Sequence, residues 1–236
     1  MKKILLSLLT LFWSTSTLAD LIITDCTESW SQKDDTCYLL HGRITNQDVM
    51  QIKRISPLHV LYLNNIGGGV YDAMEIGRHI SETDTTAIVR GDCLSACVFV
   101  LAGATNRYVY GRVGIHRPYN TFTGNIDRKE AQQRYTKLQN DAQNYFREMN
   151  IPDTLYDAMV VVLPQDMKIL TENELWYFLL NRTDPVASEI YSAKQAAKYG
   201  ITIDKYLFRM SQIMQQCSNS DGSLKAKCYD QIMSGK

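Results

Sequence analysis

Residues 58–80 read LHVLYLNNIGGGVYDAMEIGRHI, and this stretch decides the fold class. Its first part, residues 58–63, is a mostly apolar run with the length of a buried β-strand. Two asparagines and the glycines at 67–69 then break the run. Beyond them, apolar side chains recur at helical spacing: Val70, Ala73, Met74, Ile76 and Ile80. The stretch therefore predicts a buried strand, a tight glycine turn and an amphipathic helix.

The same alternation continues on both sides of this stretch. It predicts strands at 38–44, 86–89, 108–110 and 113–115, a short helix opened by Thr45 and Asn46, and an apolar helix at 98–104. Because strands and helices alternate along the chain, we predict an α/β domain with mostly parallel strand pairing.

A long polar helix is predicted over residues 127–149. One face of this helix is apolar and comprises Tyr135, Leu138, Ala142, Tyr145 and Met149. This apolar stripe could pack on the helix's own domain or serve as an oligomerisation arm, and both interpretations stay open. Further helices are predicted at 154–162, 172–180 and 193–199, with Gly200 as the stop signal of the last. We expect the polar tail from Cys217 onward to be held only by its cysteines.

The first nineteen residues have the layout of a secretory signal peptide. Lys2 and Lys3 precede an apolar run of about ten residues, which is shorter than the roughly 20 needed to span a bilayer. Small residues then precede Asp20, where we expect cleavage. The predicted organisation is a signal peptide at 1–19 and one domain at 20–236, with its core at 38–205 and a tail at 206–236. We expect export across the inner membrane into the periplasm and no membrane span after cleavage.

Composition narrows the classes of partner. The chain has 25 basic and 25 acidic residues, and no basic stripe, so we predict no nucleic-acid partner. It contains no P-loop and no CxxC, so we predict no ATPase activity, no metal and no cofactor.

The cysteines form three local pairs, and an even count in an exported chain suggests disulfides. We predict bridges for the pairs Cys26/Cys37 and Cys217/Cys228, each of which closes a short polar loop. Whether Cys93 and Cys97 are bridged stays open, because a bridge needs Cα atoms about 4.4–6.8 Å apart.

Three features could carry chemistry, and each also has a plain structural explanation. The glycines at 67–69 could expose backbone N–H groups to a ligand, or they could merely allow a turn. Ser95 lies between a predicted strand and an apolar helix, where serine acts as a nucleophile or simply caps the helix. His116 follows an apolar strand, where it can enter a cleft or pack as a structural histidine.

Three stretches carry a resemblance: LYLNNIGG at 61–68, CLSAC at 93–97 and GIHRP at 114–118. In order and spacing they resemble the proteolytic subunit of Clp protease and its periplasmic relatives, within the Clp/crotonase superfamily, over roughly residues 38–205. The resemblance implies a fold of repeated β-β-α units with a helical arm and C-terminal helices. One departure is Asn65-Ile66 where that family has Ser-Pro before the two glycines.

The resemblance also implies a serine peptidase mechanism. Ser95 would be the nucleophile and His116 the base, while Ala96 and Gly67 or Gly68 would supply the oxyanion N–H groups. Asp166 is the preferred acid because it keeps the family's interval from the histidine. Asp184 is the alternative if SAKQAAKYGI at 192–201 is aligned instead.

The implied partner is a peptide or unfolded-protein substrate, cleaved without ATP by a chain that assembles into a homo-oligomer. Alternatives are a catalytically silent peptide- or protein-binding member, an esterase or amidase with the same triad, and a crotonase-type thioester enzyme. Export away from coenzyme A disfavours the last of these.

Overall fold

The computed structural model describes residues 20–24, 37–121, 124–218 and 221–235. Its strands are β1 (Asp20–Thr24), β2 (Cys37–Ile44), β3 (Val60–Gly68), β4 (Thr86–Leu94), β5 (Asn106–Val109), β6 (Arg112–Ile115) and β7 (Lys168–Ile169). Its helices are α1 (Asn46–Ile52), α2 (Val70–Glu82), α3 (Cys97–Gly103), α4 (Arg128–Glu148), α5 (Asp153–Val160), α6 (Glu172–Tyr177), α7 (Pro185–Lys198), α8 (Ile203–Gln216) and α9 (Gly222–Ser234). The predicted signal peptide and Cys26 lie outside the described residues.

The described strands form one mixed sheet in the order β1-β2-β3-β4-β6-β7, with β5 also paired to β4. β2, β3 and β4 are parallel neighbours, while β1 and β7 are antiparallel to theirs. β4 divides its length, because Thr86–Val89 pairs with β5 and Asp92–Leu94 pairs with β6. The predicted α/β class with mostly parallel pairing is confirmed. The candidate site described below lies beside the end of β4, where the strand pairs with β6.

The core forms where α2 and α3 pack on the sheet and α4 packs on α3. Every residue of α3 is buried, which explains its uninterrupted apolar sequence. The α4 stripe packs on its own domain through Leu138, Ala142, Tyr145 and Phe146. The Tyr145 hydroxyl donates to the Phe99 carbonyl at 2.6 Å, and burial raises the pKa of Tyr145 well above its ordinary value. This bond ties the long helix to α3.

The C-terminal part differs from the prediction. Helix α7 begins at Pro185, earlier than the predicted 193, because Asp184 caps it and proline suits a first helical position. The tail expected to depend on its cysteines forms helix α9 instead. Helices α7, α8 and α9 share a small core made of Ala196, Tyr206, Ile213, Cys217 and Met233. No helix of the described residues is long and apolar enough to cross a membrane.

One buried arginine joins this C-terminal part to the sheet. Arg107 of β5 is 1% exposed and donates to the carbonyls of Ala102 and Leu179. Its guanidinium also pairs with the Asp184 carboxylate at 3.5 Å. Burial lowers the pKa of Arg107, and the Asp184 charge opposes that shift. Because Asp184 also accepts the Ala187 N–H, this carboxylate links the core to the start of α7.

Candidate functional site

Ser95 lies in the tight turn between β4 and α3. Its φ is +55°, a left-handed conformation that a residue with a side chain adopts only where its surroundings impose it. The Ser95 N–H donates to the Gly114 carbonyl of β6 at 2.9 Å, so the turn is fastened to the neighbouring strand. Ala96 follows at the start of α3, and no acceptor for its N–H is found in the described part of the chain. A bare N–H at a helix start beside a serine is a suitable donor to an anion.

A disulfide brackets this turn. Cys93 and Cys97 are bonded, with Cα atoms 5.1 Å apart, and both side chains are fully buried. The question that the sequence left open is therefore answered by a bridge from the end of β4 to the first residue of α3. Cys217 and Cys228 are also bonded, as predicted. Cys37 is disulfide-bonded, while its predicted partner, Cys26, lies outside the described residues.

The glycine turn packs directly against Ser95. A Cβ added to Gly67 would lie 2.7 Å from the Ser95 Cβ and 2.9 Å from the Ala96 nitrogen, so a side chain has no room here. The Gly67 N–H donates to the Asn65 side-chain oxygen at 2.7 Å and is not free to bind a substrate. Gly68, in contrast, lines the cavity in front of Ser95. Of the two glycines proposed from sequence, Gly67 provides space at the turn and Gly68 lines the cavity.

His116 follows β6 directly, and its side chain is 6% exposed. Its ring nitrogen Nδ1 lies 3.0 Å from the Arg117 carbonyl oxygen, and the ring also contacts Tyr119. Ser95 and His116 line the same cavity, so the structure brings together the two residues that the sequence placed far apart along the chain.

The two candidate acids occupy different positions. Asp166 is exposed, and among the described residues its carboxylate makes no hydrogen bond or ion pair; its N–H closes a turn with the Leu163 carbonyl at 2.9 Å. Its neighbour Met167 does line the cavity. Asp184 is engaged by Arg107 and by the α7 cap, away from His116. Neither carboxylate is hydrogen-bonded to the imidazole.

The cavity has a volume of about 490 Å³. One wall is apolar and is formed by Val70, Phe99, Leu138, Met159 and Met167; the polar side includes Arg43, Asp72, Asn120 and Thr121. Burial raises the pKa of Asp72, partly opposed by a hydrogen bond with Asn46. The Asn120 side-chain nitrogen is buried and has no partner among the described residues, so it is available to donate to a bound carbonyl group.

Two asparagines of this site were not predicted to be site residues. Asn64 accepts the Asp92 N–H at 3.1 Å and so joins β3 to β4, while Asn65 is fully buried and holds the glycine turn. A pair of amides interrupting an apolar strand just before three glycines was the available signal. In the part of the chain that the structure describes, no group of three or more His, Cys, Asp or Glu residues could hold a metal ion.

Two comparisons with known proteins find no relative of this chain. A scan against protein-family models finds no match. A search of curated proteins also finds none.

Proposed function

We propose that this chain is an exported, ATP-independent serine hydrolase of the Clp/crotonase-like fold that acts on peptides. The observation that carries the proposal is the strained turn at Ser95, which shares one cavity with His116 beside the Ala96 N–H. A serine that only capped a helix would not need a left-handed backbone. The disulfides agree with an oxidising compartment outside the cytoplasm.

In the proposed reaction, the Ser95 hydroxyl attacks a substrate acyl carbon while its proton passes to the free ring nitrogen of His116. The oxyanion takes hydrogen bonds from the Ala96 and Gly68 N–H groups, and each such donor stabilises the transition state by about 3 kcal/mol. The leaving amine departs with the proton from His116. A water molecule then repeats the sequence on the acyl-enzyme and releases the acid.

Peptide substrates are favoured by the chemistry of the cavity. Its volume of about 490 Å³ suits one or two residues of a peptide rather than a folded domain. The apolar wall would accept a hydrophobic side chain, and the unpaired Asn120 nitrogen would donate to a main-chain carbonyl. We also propose that the chain assembles into a homo-oligomer.

A fluorophosphonate probe tests the assignment of the nucleophile. We expect the folded wild-type protein to be labelled, and both Ser95→Ala and His116→Ala to lose labelling. Ser188→Ala, which removes an exposed serine on α7, is the matched control and should label like the wild type. Equal labelling of Ser95→Ala would reject the nucleophile. A folded wild type that binds peptides and resists the probe would favour the silent binding member instead.

A substrate screen then separates a peptidase from an esterase or amidase. We expect turnover of unstructured peptides that is lost in Ser95→Ala. Turnover confined to small esters or simple amides would support the alternative with the same nucleophile.

A further inference from the structure

A histidine that acts as a base needs its proton on the nitrogen remote from the nucleophile. In His116, Nδ1 lies 3.0 Å from the Arg117 carbonyl oxygen. A carbonyl oxygen can only accept a hydrogen bond, so Nδ1 must carry the proton in this contact. The neutral ring then has its lone pair on Nε2, which is the form that can take a proton from a serine. The Arg117 carbonyl is thus placed to hold the imidazole tautomer that a carboxylate holds in a catalytic triad.

No carboxylate of the described residues is hydrogen-bonded to the His116 ring. Asp72, which lines the same cavity, interacts with Asn46 instead. Asp166 is exposed and has no hydrogen bond or ion pair within the described residues. Asp184 is bound to Arg107 and to the start of α7. Asp92 is held by Arg112 through a bond of 2.8 Å.

The loop that carries this carbonyl is itself held in place by buried groups. The Gln139 side chain of α4, which is 8% exposed, donates to the Pro118 carbonyl at 2.8 Å. The Tyr156 hydroxyl of α5 donates in turn to the Gln139 oxygen at 2.9 Å. The Arg117 N–H donates to the Val162 carbonyl at 2.9 Å. These bonds fix the segment after His116 from two sides.

We infer that Ser95 and His116 act as a dyad, oriented by the Arg117 carbonyl and by Gln139 and Tyr156 as positioning residues, with no carboxylate as third member. This inference rests on the proposed function. During attack, the Ser95 proton moves to Nε2 while Nδ1–H stays on the Arg117 carbonyl, and the imidazolium later returns its Nε2 proton to the leaving group. Buried Gln139, which is hydrogen-bonded to Pro118 and Tyr156, acquires a role in this arrangement.

The first test compares variants by their rate of labelling with a fluorophosphonate. Asp166→Asn should label within about threefold of the wild type, like the exposed-carboxylate control Asp157→Asn. Removing the acid of a true triad costs about 10⁴-fold in turnover. A loss of 100-fold or more in Asp166→Asn, with Asp157→Asn unaffected, would overturn the dyad while leaving the serine hydrolase intact. Full labelling of His116→Ala would instead reject the proposed function.

The second test addresses the positioning residues. Gln139→Met keeps the side-chain length and removes the donor, and we expect labelling to slow by about 10- to 100-fold. Gln133→Met, an exposed position on the same helix, is the control and should be unchanged. An unaltered rate in Gln139→Met would remove Gln139 from the inference.

A spectroscopic measurement keeps the inference testable if Gln139→Met folds poorly. Nitrogen-15 NMR of the His116 ring distinguishes a proton on Nδ1 from one on Nε2 when the imidazole is neutral. Wild type and Asp166→Asn should both show the Nδ1–H form. A proton on Nε2 in the wild type, or a change of form in Asp166→Asn, would contradict the Arg117 carbonyl as the positioning group.

Discussion

The sheet with its packed helices and the C-terminal helices α7–α9 differ in the size of their buried cores. In the sheet region, α3 is buried along its whole length and several strand residues are fully inaccessible. The C-terminal helices share a core of five buried residues, while Phe208 is 63% exposed and Met214 67% exposed. Each region nevertheless contains a disulfide. We infer that the two disulfides serve different purposes. The Cys93–Cys97 bond restrains the geometry of the turn at Ser95, and the Cys217–Cys228 bond stabilises the C-terminal helices.

Loop length supports this distinction. The Cys93–Cys97 bridge spans a sequence separation of 4 and the Cys217–Cys228 bridge one of 11. Chain entropy assigns about 2 kcal/mol to the shorter loop and about 3 kcal/mol to the longer one. The C-terminal bridge therefore contributes more, in the region with less core. The bridge at Ser95 contributes less stability, and it also restrains the turn that carries the candidate nucleophile.

The largest effect is expected where the two regions join. Arg107→Met should lower the free energy of unfolding by about 3–5 kcal/mol, because Asp184 and the carbonyls of Ala102 and Leu179 lose their buried partner. Urea denaturation measures the change. Arg112→Met is the matched control, since the Arg112 side chain is 64% exposed in its pair with Asp92 and should matter little. Equal losses in the two variants would contradict the role of Arg107 as the junction.

The next effect concerns the glycine turn. Gly67→Ala should slow labelling of Ser95 by roughly 100- to 1,000-fold, the range seen when an oxyanion donor is lost, because its Cβ would displace the turn at Ser95. Gly124→Ala is the control: its φ is +90° against +92° for Gly67, yet nothing lies within 4 Å of its added Cβ. It shares the backbone penalty without the clash. Similar labelling of the two variants would show that the contact with Ser95 is unimportant.

The disulfides should separate stability from activity. The double variant Cys217→Ala/Cys228→Ala should destabilise α8 and α9 by about 3 kcal/mol and expose them to limited proteolysis, with Ser95 labelling unchanged. Cys93→Ala/Cys97→Ala should lose about 2 kcal/mol and label more slowly. If the C-terminal variant were the one to lose labelling, the assigned purposes of the two bridges would be reversed.

The smallest effect is expected at Glu174, near the end of the sheet region. Its bond with Lys168 and the Thr171 N–H lower its pKa from 4.5 to about 2. A depressed pKa means that this carboxylate stabilises the fold above pH 4.5 and that the contribution is lost as pH falls toward 2. Because the pair is partly exposed, Glu174→Gln should cost less than about 1 kcal/mol at pH 7. Thermal unfolding at pH 7 and pH 3 should show a smaller difference between variant and wild type at the lower pH.

The sequence was informative where a local pattern has one physical solution. The stretch at 58–80 predicted β3, the turn and α2, because strand and helix periods differ and glycines interrupt them. The tail beyond 206 was not predicted as helical, although the buried residues Tyr206, Ile213 and Cys217 recur at helical spacing. Other apolar residues of α8 and α9 stay exposed and obscure that pattern. Asp166 was chosen by its interval from His116 and by the helix start that follows it, and neither determines which side of a turn carries the carboxylate.

By itself, the sequence determined the alternation of strands and helices, the glycine turn, and the candidacy of Ser95 and His116. Those features follow from local backbone preferences and from the spacing of apolar residues. Only the tertiary structure decided that the Gly67 N–H donates to the Asn65 side chain and that Cys93 and Cys97 are bonded. It also decided that the main-chain carbonyl of Arg117 lies beside the His116 imidazole. The physical reason is that a hydrogen bond or disulfide depends on distances of a few ångströms between groups. Packing of the whole chain sets such distances.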